Sequence, residues 1–96
     1  MTESFAIRLQ EHLEDTSANC PFGIASALVS GSTGLMTQVG TQNLDHIINA
    51  AKIAWDKYFV PLDLPGIPNL MEPMVERFLW QAVEAAIRAA AARLAE

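Results

Sequence analysis

The sequence contains a single cysteine, Cys20, in 96 residues. One thiol cannot form a disulfide within the chain, whereas small proteins of oxidising compartments depend on several. The first residues, Met1 to Ser4, are acidic and lack the positive start and apolar core of a signal peptide. We therefore expect a protein that is not secreted by a signal peptide and that works in the cytoplasm or inside an assembled particle.

Charge is also scarce, since charged residues make up 18% of the sequence against about 25% in average chains. Basic residues number only six against eleven acidic ones, which gives a net charge of −5. The basic surface that nucleic-acid-binding proteins need is therefore missing, and charge attraction to anionic lipid is not expected. Hydrophobic residues reach 51%, and a chain of this length encloses only a modest core. We expect a single small helical domain over residues 1–96, with part of its apolar surface covered by a partner.

Proline is concentrated rather than absent, because four of the five prolines lie between Pro61 and Pro73. Each proline restricts φ and lacks an N–H, which excludes helix and central strand from this part of the chain. The residues between the prolines are largely apolar. The pattern predicts a proline-rich strap over residues 60–73 that lies against an apolar surface.

Two segments place apolar residues at helical spacing. Phe5, Leu9 and Leu13 repeat every four residues and predict an amphipathic helix over residues 3–14. The pattern over residues 44–59 is the clearest in the chain and predicts a second helix. This helix ends where a proline follows, because the residue before proline avoids α geometry.

A third helix is predicted over residues 73–94, with a proline in its first turn. Its polar residues form one line, Arg77, Gln81, Glu84 and Arg88. The remaining apolar arc covers about 200° of the circumference, whereas a helix resting on a core needs about 100°. Small alanines allow close helix–helix approach. We therefore predict that this helix packs between other helices, some of them from a second copy of the chain.

Residues 16–42 form an uncharged segment rich in Gly, Ser and Thr, and two structures compete for it. In the first, Pro21 opens a short helix over residues 22–29 and the rest is irregular. In the second, two strands over residues 24–30 and 35–41 form a hairpin. We favour the short helix, because the alternation of apolar residues is weak and an isolated hairpin is marginally stable. The fold class is therefore mainly α, with three principal helices, this segment and the strap.

Residues 16–44 carry no charged side chain, which raises the question of a membrane contact. A membrane span needs about 20 mostly apolar residues. Serine, threonine, glutamine and glycine interrupt this stretch throughout. The sequence argues against a span without excluding contact with a membrane, and a small membrane-interacting protein is the third function considered.

Chemistry-bearing residues lack the spacing that catalysis or metal binding requires. His12 and His46 have no cysteine or second histidine at i+3 or i+4, so no metal site is expected. Cys20 has no base beside it in the sequence, and a free cysteine is usually a small apolar residue. Residues 30–34 lack both the first glycine of a nucleophile elbow and the lysine of a phosphate-binding loop.

The carboxylate pairs Glu72/Glu76 and Asp56/Asp63 are the remaining candidates for acid–base chemistry. Glu72 and Glu76 lie at the start of the last helix, where the helix macrodipole favours negative charge. This position explains them without catalysis. We therefore expect no enzyme, no catalytic or cofactor-binding residues, no cofactor and no metal.

The function expected from the sequence is that of a non-enzymatic structural subunit. It self-associates, or packs into a larger virion- or shell-like particle, through the alanine-rich last helix. The alternative is an adaptor whose strap, or the groove beside it, captures a helix or peptide of another protein. The residues expected at the interface are apolar and lie in the strap and the two helices that flank it: Trp55, Tyr58, Leu64, Ile67, Leu79, Trp80, Val83 and Ile87.

Overall fold

The computed structural model describes residues 1–61 and 73–96. These residues form four α-helices and one short 3-10 helix, and they contain no strand. The elements in chain order are α1 (Thr2–Asp15), α2 (Pro21–Val39), the 3-10 helix (Thr41–Asn43), α3 (Leu44–Tyr58) and α4 (Pro73–Leu94). The mainly α fold class is confirmed, and the three principal helices agree with their predicted bounds to within one residue. Most of the predicted strap lies outside the described residues.

Helix α2 is the main departure from the prediction. Pro21 lies in its first turn, as the short-helix alternative expected, and Sγ of Cys20 accepts a hydrogen bond from the N–H of Gly23 at 3.3 Å. The helix does not stop at residue 29 but continues to Val39, and the hairpin is wrong.

The physical reason for the length of α2 is burial. A glycine inside a helix costs about 1 kcal/mol relative to alanine. Burying a leucine or isoleucine side chain contributes about 1.5–3 kcal/mol. Ile24, Leu28 and Leu35 are all buried, so packing offsets the poor helix propensity of the glycines between them.

The core lies between α2 and α3 and the two helices that flank them. Helices α1 and α4 each pack against both α2 and α3. The apolar residues of all four helices join in one cluster. Its fully buried members include Leu9, Leu13, Ile24, Leu28, Ile47, Trp55, Phe59 and Ile87.

Gly31 lies where α2 packs against α1. A Cβ placed on Gly31 would lie 2.9 Å from Cδ2 of Leu9 and 3.0 Å from Cδ2 of His12. At these distances the side chains of Leu9 and His12 would have to shift to make room for the Cβ. The packing of α1, and not a turn, therefore favours glycine at this position.

Candidate self-association surface

Helix α4 has two apolar faces, and the chain's own core covers one of them. The inner face consists of the buried residues Trp80, Val83, Ile87, Ala90 and Ala91. Their spacing of three and four residues places them on one side of the helix. This side packs against α2 and α3.

The outer face lies on the opposite side of α4 and is exposed. It begins with two large apolar side chains, Met74, which is 79% exposed, and Phe78, which is 69% exposed. Four exposed alanines continue it: Ala82, Ala85, Ala89 and Ala92. From Phe78 onward the positions are spaced by four and three residues in alternation, which is the spacing along which two helices pack side by side.

The polar line predicted from the sequence separates the two faces along one edge of α4. Arg77, Gln81 and Arg88 are exposed, and Nε of Arg88 lies 3.2 Å from a carboxylate oxygen of Glu84. Along the other edge the apolar arc is continuous, because the half-buried residues Val75, Leu79 and Ala86 lie between the two faces. The core covers the inner side of this arc and leaves the outer side exposed.

The interface residues predicted from the sequence do not lie on this outer face. Trp80, Val83 and Ile87 belong to the inner face and are buried by the chain itself. Leu79 lies between the two faces and is half-buried. The predicted residues of α4 thus lie mainly on the side that the fold covers, whereas Phe78, which was not among them, is exposed. The alternating spacing of Phe78 and the alanines is the sequence signal for this second face.

The remaining predicted interface residues lie elsewhere. Trp55 is fully buried and stacks on Phe59, with ring centroids 3.7 Å apart. Tyr58 is half-buried, and its hydroxyl donates to Oε1 of Glu14 at 2.6 Å. Leu64 and Ile67 lie outside the described residues.

Polar contacts to α3 lie on the inner side of α4. Nε1 of Trp55 donates to Oε1 of Glu76 at 2.5 Å, and Nζ of Lys52 lies 3.6 Å from the same oxygen. Lys52 Nζ also lies 5.4 Å from the ring centroid of Trp80, within the range of a cation–π contact. These contacts connect α3 to the inner side of α4, and the outer face is left toward solvent.

The same contacts account for the carboxylates considered as catalytic pairs. Glu76 accepts from Trp55, and Asp56 pairs with Lys52 at 2.9 Å. Glu72 and Asp63 lie outside the described residues. The described members of both pairs thus have structural partners on α3.

The two histidines join helices. Nε2 of His12 on α1 lies 3.2 Å from Oγ of Ser30 on α2, and Nδ1 of His46 on α3 lies 2.9 Å from Oγ1 of Thr2 on α1. Ser30 also donates to the carbonyl of Ala27, as helical serines commonly do. Within residues 1–61 and 73–96, no three His, Cys, Asp or Glu side chains are grouped so that they could hold a metal ion.

Two open grooves lie beside α2. One, of about 280 Å³, is lined by Cys20 and the turn before α2, and the other, of about 230 Å³, runs between α1 and α2 and is lined by Arg8 and His12. The thiol and the imidazole line different grooves. The structure therefore does not bring them together as a nucleophile and its base.

Comparison with known protein families, with curated proteins and with solved structures finds no match. In the described part of the chain, no helix combines the length and the apolar character needed to cross a membrane. The outer face of α4 is the surface feature from which a function can be argued.

Proposed function

We propose that this protein is a non-enzymatic assembly subunit that binds further copies of itself through the outer face of α4. The observation that carries the proposal is the exposure of Phe78 on a helix whose opposite face is already buried. A contiguous exposed apolar face of this kind marks an interaction surface in soluble proteins. Covering this face with a partner contributes a favourable free energy of about 25 cal/mol for each Å² of apolar area removed from water.

The dimensions of α4 suit this role. Its 22 residues span about 33 Å at 1.5 Å per residue. Alanine side chains let a second helix approach closely along that length, and Phe78 supplies an aromatic anchor of the kind enriched at binding hot spots. Within the outer face no charged side chain has to be desolvated.

For assembly beyond a dimer, we propose Phe22 as the residue of a second contact. Phe22, in the first turn of α2, is 89% exposed. A closed dimer needs one self-complementary surface, whereas a larger particle needs at least two. In a virion- or shell-like particle, Phe22 belongs to the second contact.

The proposal is tested by size-exclusion chromatography with light scattering from micromolar to hundred-micromolar concentration. The protein is expected at a multiple of its 10.5 kDa chain mass. Ala85→Glu places a charge in the middle of the outer face and should return the protein to a monomer. Asn49→Glu is the matched control, since Asn49 is exposed on α3 and the substitution adds the same charge; this variant should associate like the parent.

Circular dichroism checks that both variants keep their helical content, so that a loss of mass reports on association rather than on folding. A parent chain that stays monomeric over the whole range overturns the proposal. That result favours the adaptor alternative, whose partner is a different protein. If Ala85→Glu associates as strongly as the parent, the contact does not lie on the outer face of α4, and the proposal is also overturned.

A further inference from the structure

We infer that the partner on the outer face of α4 is a second copy of the chain whose α4 runs antiparallel, with Phe78 of each copy packed on Ala89 of the other. This inference rests on the proposed self-association and adds its direction and register. Side-chain size along the outer face and the charges beside it both favour this arrangement over the parallel one.

The size of the side chains along the outer face is strongly uneven. Phe78 lies near the start of α4, and every later position of the face is alanine. In a parallel pair, Phe78 would lie against Phe78 of the partner subunit at one end of the contact. At the other end, alanine would lie against alanine. Because the distance between helix axes follows the side chains at the contact, the helices would be held apart at the phenylalanine end and the alanines would lose contact.

An antiparallel pair removes this mismatch. When Phe78 lies level with Ala89 of the partner subunit, Ala82 lies level with Ala85 of the partner subunit, and the two-fold axis repeats both contacts. Each large side chain then meets a small one, and the helix axes stay at one separation along the whole contact. The two macrodipoles also oppose each other, which is favourable for neighbouring helices.

The charges beside the outer face point the same way. In a parallel pair, a residue at one edge of the contact lies beside the residue five positions later on the partner helix. Arg88 would then lie beside Arg93 of the partner subunit, and the pair would occur on both sides of the dimer. In the antiparallel register, Arg88 lies beside Gln81 of the partner subunit. Like charges across an interface are destabilising, whereas an arginine donates readily to a glutamine carbonyl.

Disulfide trapping tests the direction directly. In a Cys20→Ser background, which keeps a side-chain acceptor at the start of α2, Phe78→Cys and Ala89→Cys are made singly and mixed under oxidising conditions. The antiparallel register predicts a disulfide between the two variants. It predicts none within either variant alone, because identical positions would lie eleven residues apart along the axis, about 16 Å, beyond disulfide reach.

Val75→Cys mixed with Ala92→Cys repeats the test with Phe78 in place, since these positions are also level in the antiparallel register. Light scattering on each mixture shows separately whether the chains associate. Association with disulfides within single variants establishes a parallel pair and overturns the inference while the proposed function stands. Association with no disulfide in either mixture also overturns the antiparallel register. A parent chain that stays monomeric overturns both the register and the proposed function.

A charge variant gives an independent readout. Gln81→Glu places a carboxylate beside Arg88 of the partner subunit twice in each antiparallel dimer, and should tighten the dimer about two- to five-fold. In a parallel pair Gln81 lies beside Ala86 of the partner subunit. An unchanged dissociation constant for Gln81→Glu therefore contradicts the antiparallel arrangement.

Discussion

The indole nitrogen of Trp55 donates to the carboxylate of Glu76 at 2.5 Å, which joins the fully buried ring on α3 to the first turn of α4. A buried indole N–H needs an acceptor. Glu76 is the acceptor that this fold provides, and it lies on the inner side of α4. The contact therefore lies on the same side of α4 as its buried apolar residues, opposite the residues that face solvent.

The Trp55–Glu76 contact predicts a graded response to substitution. Glu76→Ala leaves the indole N–H without its acceptor and should lower the free energy of unfolding by about 1–3 kcal/mol. Glu76→Gln keeps an acceptor oxygen and should cost clearly less. Urea unfolding followed by tryptophan fluorescence measures both values, and equal losses would show that the contact contributes through charge alone.

Gly31 and Gly34 of α2 should respond in opposite directions to alanine. A Cβ at Gly31 would meet Leu9 and His12 at about 3 Å, whereas a Cβ at Gly34 meets nothing within 4 Å. We expect Gly31→Ala to destabilise the protein by about 1–3 kcal/mol through overpacking. Gly34→Ala should stabilise it by about 0.4–1 kcal/mol. Thermal unfolding checks the pair, and a shift of the same sign in both variants contradicts the packing of α1 on α2.

Ser32 is fully buried, and its hydroxyl has no hydrogen-bond partner among the described residues. A buried unsatisfied polar group carries a desolvation penalty of about 1–3 kcal/mol. Ser32→Ala removes the hydroxyl and improves helix propensity, so we expect the midpoint of urea unfolding to rise. Ser26→Ala at an exposed position of α2 is the matched control, and it reports the propensity change alone. An equal gain in both variants would mean that the Ser32 hydroxyl carries no penalty.

Tyr58 gives a prediction about pH. Its hydrogen bond to Glu14, reinforced by burial and by the carboxylate charge, raises the pKa of Tyr58 above the ordinary 10.0. Because the folded state holds the proton more tightly, the stabilisation is complete below pH 10 and is lost as pH rises through the folded pKa. Tyr58 is the sole tyrosine of the sequence, so tyrosinate absorbance follows it directly. Glu14→Ala removes the acceptor and should move the pKa of Tyr58 back toward 10.0. An unchanged titration would contradict the hydrogen bond.

The sequence by itself determined three of the helices, because the signals that define them act over short stretches of the chain. Apolar spacing and prolines define α1, α3 and α4, because both act over a few residues whatever the rest of the chain does. Helix α2 was not determined in this way. Its glycines and hydroxyl residues weaken a local helix, and its burial against the other three helices depends on residues distant in the chain.

The candidate surface divides in the same way. The sequence shows that α4 has more apolar circumference than one core contact needs, because periodicity sets the angles between its residues. Periodicity does not say which of two apolar faces turns inward. Tertiary structure decided that, since Trp80, Val83 and Ile87 are buried in the core against α2 and α3. Glu76 accepts from Trp55 on the same side of α4. Phe78 and the alanines were left outside because the two faces lie on opposite sides of one rigid helix, so turning one inward turns the other to solvent.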